Sequence, residues 1–334
     1  MKLFPTQYST LSSTALNERI SKAYHVPDTQ TKLLLRGVSD TYLVTSPSSQ
    51  YIFRAYRHGH RSLNEIKAEV ELLNILRENE AKVSYPIADT AGDYIQKFNT
   101  GEGPRYGVLF SYAEGKASND LTENQLKTVG REMARNHHIT STIALVHYRP
   151  EYSVSTTIHE PLQTLEAAFR EYDYTAGYQY LKNVAQKAIR TIELMPTDQF
   201  SYGYCHYDYL PKNFHFNDRD EFTLFDFDFA GKGYLVNDLM SFQVHYFFQI
   251  LYGGMSQEES AHCMQVFIEA YREIRDISDE ELAAIPCLGI MFWIFYLAVQ
   301  YKGYDDFSNN YFNQTYLKKW VSWIEQWENI YCDF

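Results

Sequence analysis

The chain has 334 residues, 45% of them hydrophobic and 22% charged, which suits a soluble protein of two domains or lobes and excludes a disordered one. Its net charge of −12 argues against a nucleic-acid partner, because phosphate backbones are held by clustered basic surface. The charge is unevenly spread. Residues 1–112 carry 13 Lys and Arg against 11 Asp and Glu, and the remainder carries 17 against 31. That acidic remainder would draw in a cationic ligand, although a solvated acidic face is the plainer reading of the same numbers.

Taken in chain order, the first hundred residues read as strands followed by one helix. Lys32–Leu35 and Thr41–Thr45 are short apolar or β-branched runs on either side of a turn at Arg36-Gly37-Val38-Ser39-Asp40. Tyr51–Tyr56 alternates as a strand does. From Ser62 to Glu78 the period becomes helical, with Ile66, Val70, Leu73 and Leu76 on one face and Ser62 and Glu65 spaced as a capping box. Tyr106–Tyr112 is a further strand, running into a hinge-like Ala113-Glu114-Gly115-Lys116.

Beyond residue 120 the pattern is mainly helical, over Glu123–His138, Glu160–Tyr172, Tyr178–Leu194, Asp238–Leu251, Gln257–Ile274, Asp279–Tyr301 and Tyr311–Ile330. Only Cys205–His206 and Thr223–Phe227 read as strands there. Leu282–Val299 is apolar almost throughout, near the lower length for a membrane span; Pro286 and Gly289 near its start favour a buried helix, so no membrane partner is expected. The four cysteines show no metal-ligand spacing and the first residues no signal peptide, which points to free thiols in the cytoplasm. The organisation is thus an N-terminal lobe over 1–112, a hinge near 110–116 and a helical lobe over 113–334.

The chemistry is concentrated in His206-Tyr207-Asp208-Tyr209-Leu210-Pro211-Lys212-Asn213, followed thirteen residues after Asn213 by Asp226-Phe227-Asp228. Phosphoryl transfer needs a carboxylate that orients and deprotonates the attacking hydroxyl, and metal ions that neutralise the phosphates. An Asp and an Asn five apart on one tight loop can divide that work, Asp208 facing the acceptor and Asn213 a metal. Asp226 and Asp228, two apart on an expected strand, would share a face and offer hard oxygens suited to Mg2+.

The stretch from His206 to Leu239, with apolar Phe222-Thr223-Leu224-Phe225 before Asp226 and then Gly231, Gly233 and Asp238, resembles the aminoglycoside phosphotransferase and choline kinase superfamily. That group also contains kinases for homoserine and methylthioribose. The resemblance implies an α+β, bilobal, protein-kinase-like fold: a small antiparallel-sheet lobe with one helix, and a larger, mainly helical lobe. It implies ATP and Mg2+ as cofactors, Asp208 as base, Asn213 and Asp226 as metal ligands with Asp228 assisting, and His206 and Asp238 as structural supports of the loop. Tyr207 departs from the commoner glycine and from the arginine of protein kinases.

The same resemblance makes Gly37 and Ser39 part of the phosphate-covering turn and Arg54 the phosphate-binding cation. Glu69 becomes the partner of that cation, one helical turn beyond Glu65, and Phe110, Ser111, Tyr112 and Ala113 become the hinge that meets adenine. For the acceptor the residues themselves give hints. Glu166–Tyr180 and Tyr301–Asp306 mix aromatic rings with carboxylates, and Tyr172, Asp173, Tyr304 and Asp305 would suit an ammonium group. A small hydroxyl acceptor bearing an amine is the preferred class: an amino sugar, a choline-like alcohol or homoserine. The rival readings are a non-catalytic nucleotide-binding pseudokinase, a protein Ser/Thr kinase of the same fold and a metal-dependent hydrolase. Intact Asp208, Asn213 and Asp226 oppose the first; the short Asp226–Asp238 spacing opposes the second.

Overall fold

Period-two alternation builds the first sheet. Strands β1 (Gln30–Arg36), β2 (Ser39–Thr45) and β3 (Gln50–Tyr56) form an antiparallel meander, and β6 (Gly103–Ser111) pairs with β3. Strands β4 (Pro86–Ile87) and β5 (Ile95–Thr100) both pair with β6, completing six strands. Tyr42, Val44, Phe53, Ala55 and Leu109 turn inward and pack with Leu16 and Ile20 of helix α1 (Ser13–Tyr24). This computed structural model describes residues 6, 9–303 and 312–334.

The unit containing this sheet comprises Met1–Lys116, Ala144–Arg149 and Phe214–Phe225; the second comprises Ala117–Ile143, Pro150–Asn213 and Asp226–Phe334. The inserted segments join the first unit through hydrogen bonds. β8 (Phe214–Phe216) and β9 (Phe222–Leu224) pair with each other, the Lys116 N–H donates to Phe216, and the Ser84 N–H donates to Leu224. Glu71 accepts from the backbone N–H groups of Val146 and His147. Among the described residues the first unit holds two helices where one was expected. The α1 pattern escaped notice because its buried apolar stripe is only Leu16 and Ile20.

Helix α2 (Leu63–Glu78) begins at the expected capping box, in which Ser62 and Glu65 exchange hydrogen bonds. Its buried face carries Ile66, Val70, Leu73 and Leu76 as anticipated, and Glu69 lies on the same face. The sheet also buries charge. Arg105 on β6 meets Asp40 on β2 at 2.8 Å, with both side chains 1% exposed, and donates to the carbonyls of Ala55 and Tyr56.

The second unit is a helical assembly: α3 (Glu123–Thr140), α4 (Glu160–Glu171), α5 (Thr175–Glu193), α6 (Val236–Phe248), α7 (Gln257–Arg272), α8 (Asp279–Ala283), α9 (Ile285–Gly303) and α10 (Gln314–Tyr331). A two-stranded ribbon of β7 (Tyr202–Cys205) and β10 (Gly231–Tyr234) accompanies it. The single helix expected over Asp279–Tyr301 is two, broken just before Pro286, which has no N–H to continue the ladder. Among the described residues α9 alone is long and apolar enough to cross a membrane, and most of that window is buried. It packs against α4, α5, α6 and α10. Gly289 lets the Trp327 ring press onto it, since a Cβ there would lie 2.2 Å from the ring.

Removing Arg105 would leave the buried Asp40 carboxylate to Arg36, which is partly exposed and meets it at 3.4 Å. Arg105→Ala is therefore expected to destabilise the protein by about 3 kcal/mol. The check is a lowered midpoint in urea denaturation.

Candidate active site

A paired ribbon sets the catalytic segment. The register matches Cys205 with Gly231, so the chain leaving β7 at His206 runs beside the segment that enters β10 from Asp226-Phe227-Asp228. The His206 and Phe227 rings meet edge to face at 4.6 Å and hold the two segments together. Gly231 has no side chain because residues 150–152 run against it. A Cβ there would lie 2.6 Å from the Pro150 carbonyl and 2.7 Å from the Tyr152 ring.

Asp238, in the first turn of α6, organises the loop. Its Oδ2 accepts from the His206 N–H at 2.9 Å and its Oδ1 from the Tyr207 N–H at 2.7 Å. His137 of α3 reaches the same carboxylate with Nε2 at 3.0 Å, while its Nδ1 meets the Tyr271 hydroxyl at 2.8 Å. The remaining loop amides are also matched. Asp208 N–H donates to His206 Nδ1, Tyr209 N–H to Ser241 Oγ, and Leu210 N–H to the Asp208 carbonyl. His206 thus orients the loop by hydrogen bonding, and every backbone N–H from 206 to 210 has a fixed partner.

Tyr207 takes a left-handed backbone, φ 64°, which strains a non-glycine residue by about 1 kcal/mol or more. Its ring lies flat on Tyr152, with centroids 3.4 Å apart and planes 6° apart. The Tyr152 hydroxyl in turn donates to the Phe229 carbonyl. Burial of that ring offsets the strain and explains how a tyrosine occupies a position where the resembled family more often has glycine.

Asp208 is 4% exposed. Its Oδ2 accepts from the Asn213 amide at 2.8 Å and from Lys212 Nζ at 2.9 Å. Its Oδ1 is buried and has no hydrogen-bond partner of good geometry. One oxygen is anchored and the other is not. Asn213 donates a second bond to the Asp208 carbonyl at 2.8 Å, so both bonds use its nitrogen and neither uses its side-chain oxygen.

Asp226 and Asp228 do not share a strand face. The strand ends at Leu224, and Asp226 caps a 3-10 turn over Phe227–Phe229 in a left-handed conformation, φ 65°. Asp226 is exposed, whereas Asp228 is 1% exposed. The turn's tighter period replaces the strand period of two, so the two carboxylates sit in different surroundings. Among the described residues no three His, Cys, Asp or Glu side chains are grouped as a metal cage.

The first unit joins three more of the expected residues. Arg54 on β3 donates from Nε to Ser39 Oγ at 3.1 Å and pairs through Nη1 with Glu69 at 3.4 Å. Arg149 stands 3.8 Å from the other Glu69 oxygen, so this buried carboxylate lies between two guanidinium groups. Gly37 donates its N–H to the Ser39 carbonyl. A Cβ on Gly37 would only reach ordinary contact, 3.7 Å from that oxygen, so the turn itself does not demand glycine. Phe110 and Ser111 close β6. The Ser111 N–H and C=O are engaged by Tyr85 and Ser84, and the Ala113 carbonyl by His215.

Tyr172 and Asp173 form the turn between α4 and α5, where both carbonyls accept from Gln314 and the Tyr172 ring meets Phe312. Among the described residues their contacts do not include Asp208, Asn213 or Asp226. Tyr304 and Asp305 lie outside the described residues. Four participants went unread in the sequence: Lys212, His137, Arg149 and the Tyr152–Tyr207 stack. Lys212 stood inside the quoted motif, directly before Asn213. The other three come from distant segments and carry no local signal.

The model of the phosphotransferase enzyme family matches residues 30–276. The chain belongs to this family. It is an enzyme of the kinase kind, as the resemblance to aminoglycoside phosphotransferases and choline kinases implied. An uncharacterized protein of Synechocystis is 28% identical over 327 residues, covering 97% of this chain and 87% of its own. In fold, the chain is similar to an amicoumacin kinase solved with AMP-PNP, Ca2+ and Ami, at TM-score 0.76 and 18% identity over 94% of this chain and 93% of that one. It is also similar to a microcompartment-associated aminopropanol kinase, at TM-score 0.73 and 18% identity over 94% and 95%. The fold of this phosphotransferase is therefore protein-kinase-like, as expected.

Asp238→Ala is expected to leave the His206 and Tyr207 amides without their buried acceptor, at a cost of about 3 kcal/mol in stability. Hydrogen exchange would read it directly: both amides should lose their protection relative to the wild type.

Proposed function

We propose that this phosphotransferase moves the γ-phosphate of ATP to a hydroxyl of a small, amine-bearing molecule. The observation that carries the reading is the divided Asp208 carboxylate, with Oδ2 anchored by Asn213 and Lys212 and Oδ1 buried without a hydrogen bond of good geometry. A general base needs one oxygen fixed in direction and another able to take a proton. Asp208 Oδ1 would accept the hydroxyl proton as the acceptor oxygen attacks, and the anchored Oδ2 keeps the carboxylate from turning away. Lys212 beside it limits the build-up of negative charge around the incoming phosphates.

The donor set also fits a divalent ion. Asn213 has a side-chain oxygen not used in its two hydrogen bonds, and exposed Asp226 offers a hard carboxylate. Such a sparse protein set suits Mg2+, which keeps waters and takes further oxygens from a nucleotide. When bound, the ion neutralises phosphate charge. Asp228, 1% exposed within the 3-10 turn, is the weaker candidate ligand. The left-handed backbone at Asp226 is strain of the sort that accumulates at functional positions.

In the first unit Arg54, braced by Ser39 and Glu69, is assigned to the nucleotide phosphates, for which a guanidinium is a bidentate donor. Gly37, not required by its own turn, suits a close approach of backbone to phosphate. With Ser111 engaged on both sides and the Ala113 carbonyl held by His215, the adenine contacts fall to Tyr112 and the Ala113 N–H rather than to Phe110 and Ser111. A need for ATP and the four free cysteines support a cytoplasmic setting.

For the acceptor, an amine is supported by the acidic later part of the chain and by two kinases alike in fold, one named for aminopropanol and one for amicoumacin. An amino alcohol or amino sugar is the favoured class, with a choline-like alcohol or homoserine as the further members; Tyr172 and Asp173 remain the proposed ammonium contacts.

A coupled ADP-release assay with Mg-ATP and a panel of amino alcohols, aminoglycosides and hydroxy amino acids tests the reading. Acceptor-dependent ADP release is expected. Mg-ATP bound without transfer to any alcohol would favour a pseudokinase, and phosphate release from a substrate without ATP would favour a hydrolase. Asp226→Ala is expected to weaken metal-dependent ATP binding by about tenfold or more, as loss of a metal ligand does, when followed by calorimetry with and without Mg2+.

A further inference from the structure

Tyr296 belongs to α9, the most apolar helix of the chain, yet it carries a hydroxyl that the packing does not use. Its ring is held between aromatic neighbours. Phe292 lies 4.4 Å away, Phe229 lies 5.0 Å away, and Tyr207 lies parallel to it at 6.4 Å. Those neighbours adjoin the chemistry: Tyr207 precedes Asp208, and Phe229 follows Asp228. A ring clasped on three sides cannot swing its hydroxyl elsewhere.

That hydroxyl is buried and finds no hydrogen-bond partner of good geometry. Asp208 Oδ1 is in the same condition. The two groups face each other: after burial itself, the Asp208 charge is the largest influence holding the phenol protonated, far above its ordinary range, and a hydrogen bond to the same carboxylate is the weakest. A buried donor and a buried acceptor whose mutual contact falls short of good geometry forfeit part of the roughly 1–3 kcal/mol that a satisfied group keeps. Proteins keep such a pair where a third group completes it, and catalytic hydrogen bonds often tighten only when that group arrives.

We propose that Tyr296 and Asp208 Oδ1 together hold the acceptor hydroxyl, the phenol donating to its oxygen while the carboxylate accepts its proton. This rests on the kinase reading above and deepens it. Only a group that is donor and acceptor at once satisfies both partners. An alcohol does so. An ammonium has no lone pair for the phenol, and a carboxylate has no proton for Asp208 and is repelled by it. The pair thereby selects the hydroxyl of an amino alcohol over its amine. In the step itself the acceptor O–H bond breaks with its proton passing to Asp208 Oδ1. The acceptor oxygen bonds to the γ-phosphorus of ATP, and the bond to the bridging oxygen breaks to release ADP. The phenol keeps its own proton and fixes the direction of the attacking lone pair.

Tyr296→Phe removes the hydroxyl and retains the ring. Two readouts decide the matter. Thermal unfolding without ligand should be unchanged or raised, because an unmatched polar group is lost. The kcat/KM for the alcohol should fall by about 10–100-fold, the worth of a hydrogen bond realised in the complex. Calorimetry with a non-hydrolysable ATP analogue should give wild-type nucleotide affinity. A lowered unfolding temperature would mean a structural bond and would overturn the proposal, as would an unaltered kcat/KM in the variant. If the wild type itself transfers phosphate to no alcohol, the kinase reading fails and takes this inference with it; an active wild type with an equally active variant sinks the inference alone.

Discussion

The site depends on one buried carboxylate. Asp238 receives two consecutive backbone N–H groups, from His206 and Tyr207, and is itself backed by His137. Two adjacent amides can point at one carboxylate only if the backbone between them turns sharply, and Tyr207 supplies that turn with its left-handed φ. The strain at Tyr207, the direction in which Asp208 leaves the loop and the position of Asn213 all follow from that constraint. Charge-assisted bonds of this kind are stronger than neutral ones, which is why a single acceptor can hold the turn.

Around this brace the second unit uses aromatic packing where a smaller loop residue would leave space. Tyr152, Tyr207, Phe292, Phe229 and Tyr296 contact one another in a continuous group beside Asp208. Such a wall is apolar and stiff. It shields Asp208 from water and turns the Tyr296 hydroxyl toward that carboxylate. Local conformation, packing and function are linked here through the same residue: the ring that offsets the Tyr207 strain also positions the wall. In the first unit an analogous economy appears, since Glu69 sits on the apolar stripe of α2 and is kept there by Arg54 and Arg149. A buried carboxylate without those guanidinium groups would be costly.

Much of this was legible in the chain because it is written in short stretches. The catalytic loop, the capping box of α2 and the alternation of β2 and β3 each lie within a dozen residues, and each local rule agreed with the fold. The division of the Asp208 oxygens was not legible, because Tyr296 lies 88 residues away on a helix whose apolar run reads only as core. His137 and Arg149 were missed for the same reason: their partners are set by tertiary contact. The strand reading of Asp226 and Asp228 failed at a point where a strained 3-10 turn replaces the pattern expected from apolar Phe222–Phe225. Departures of that kind gather at functional segments, where local preference yields to the needs of the site. Helix α1 was lost for a plainer cause, a stripe of two residues.

The central claim is that Asp208 acts in the transfer step and not in holding the nucleotide. Asp208→Asn tests it most directly, measured for acceptor-dependent turnover and, on the same preparation, for Mg-ATP affinity by calorimetry. The account predicts a fall in kcat of about a hundredfold or more with ATP affinity little changed, since the amide keeps the shape and loses the basic oxygen. Turnover near that of the wild type, or a loss of ATP binding that matches the loss of rate, would contradict it.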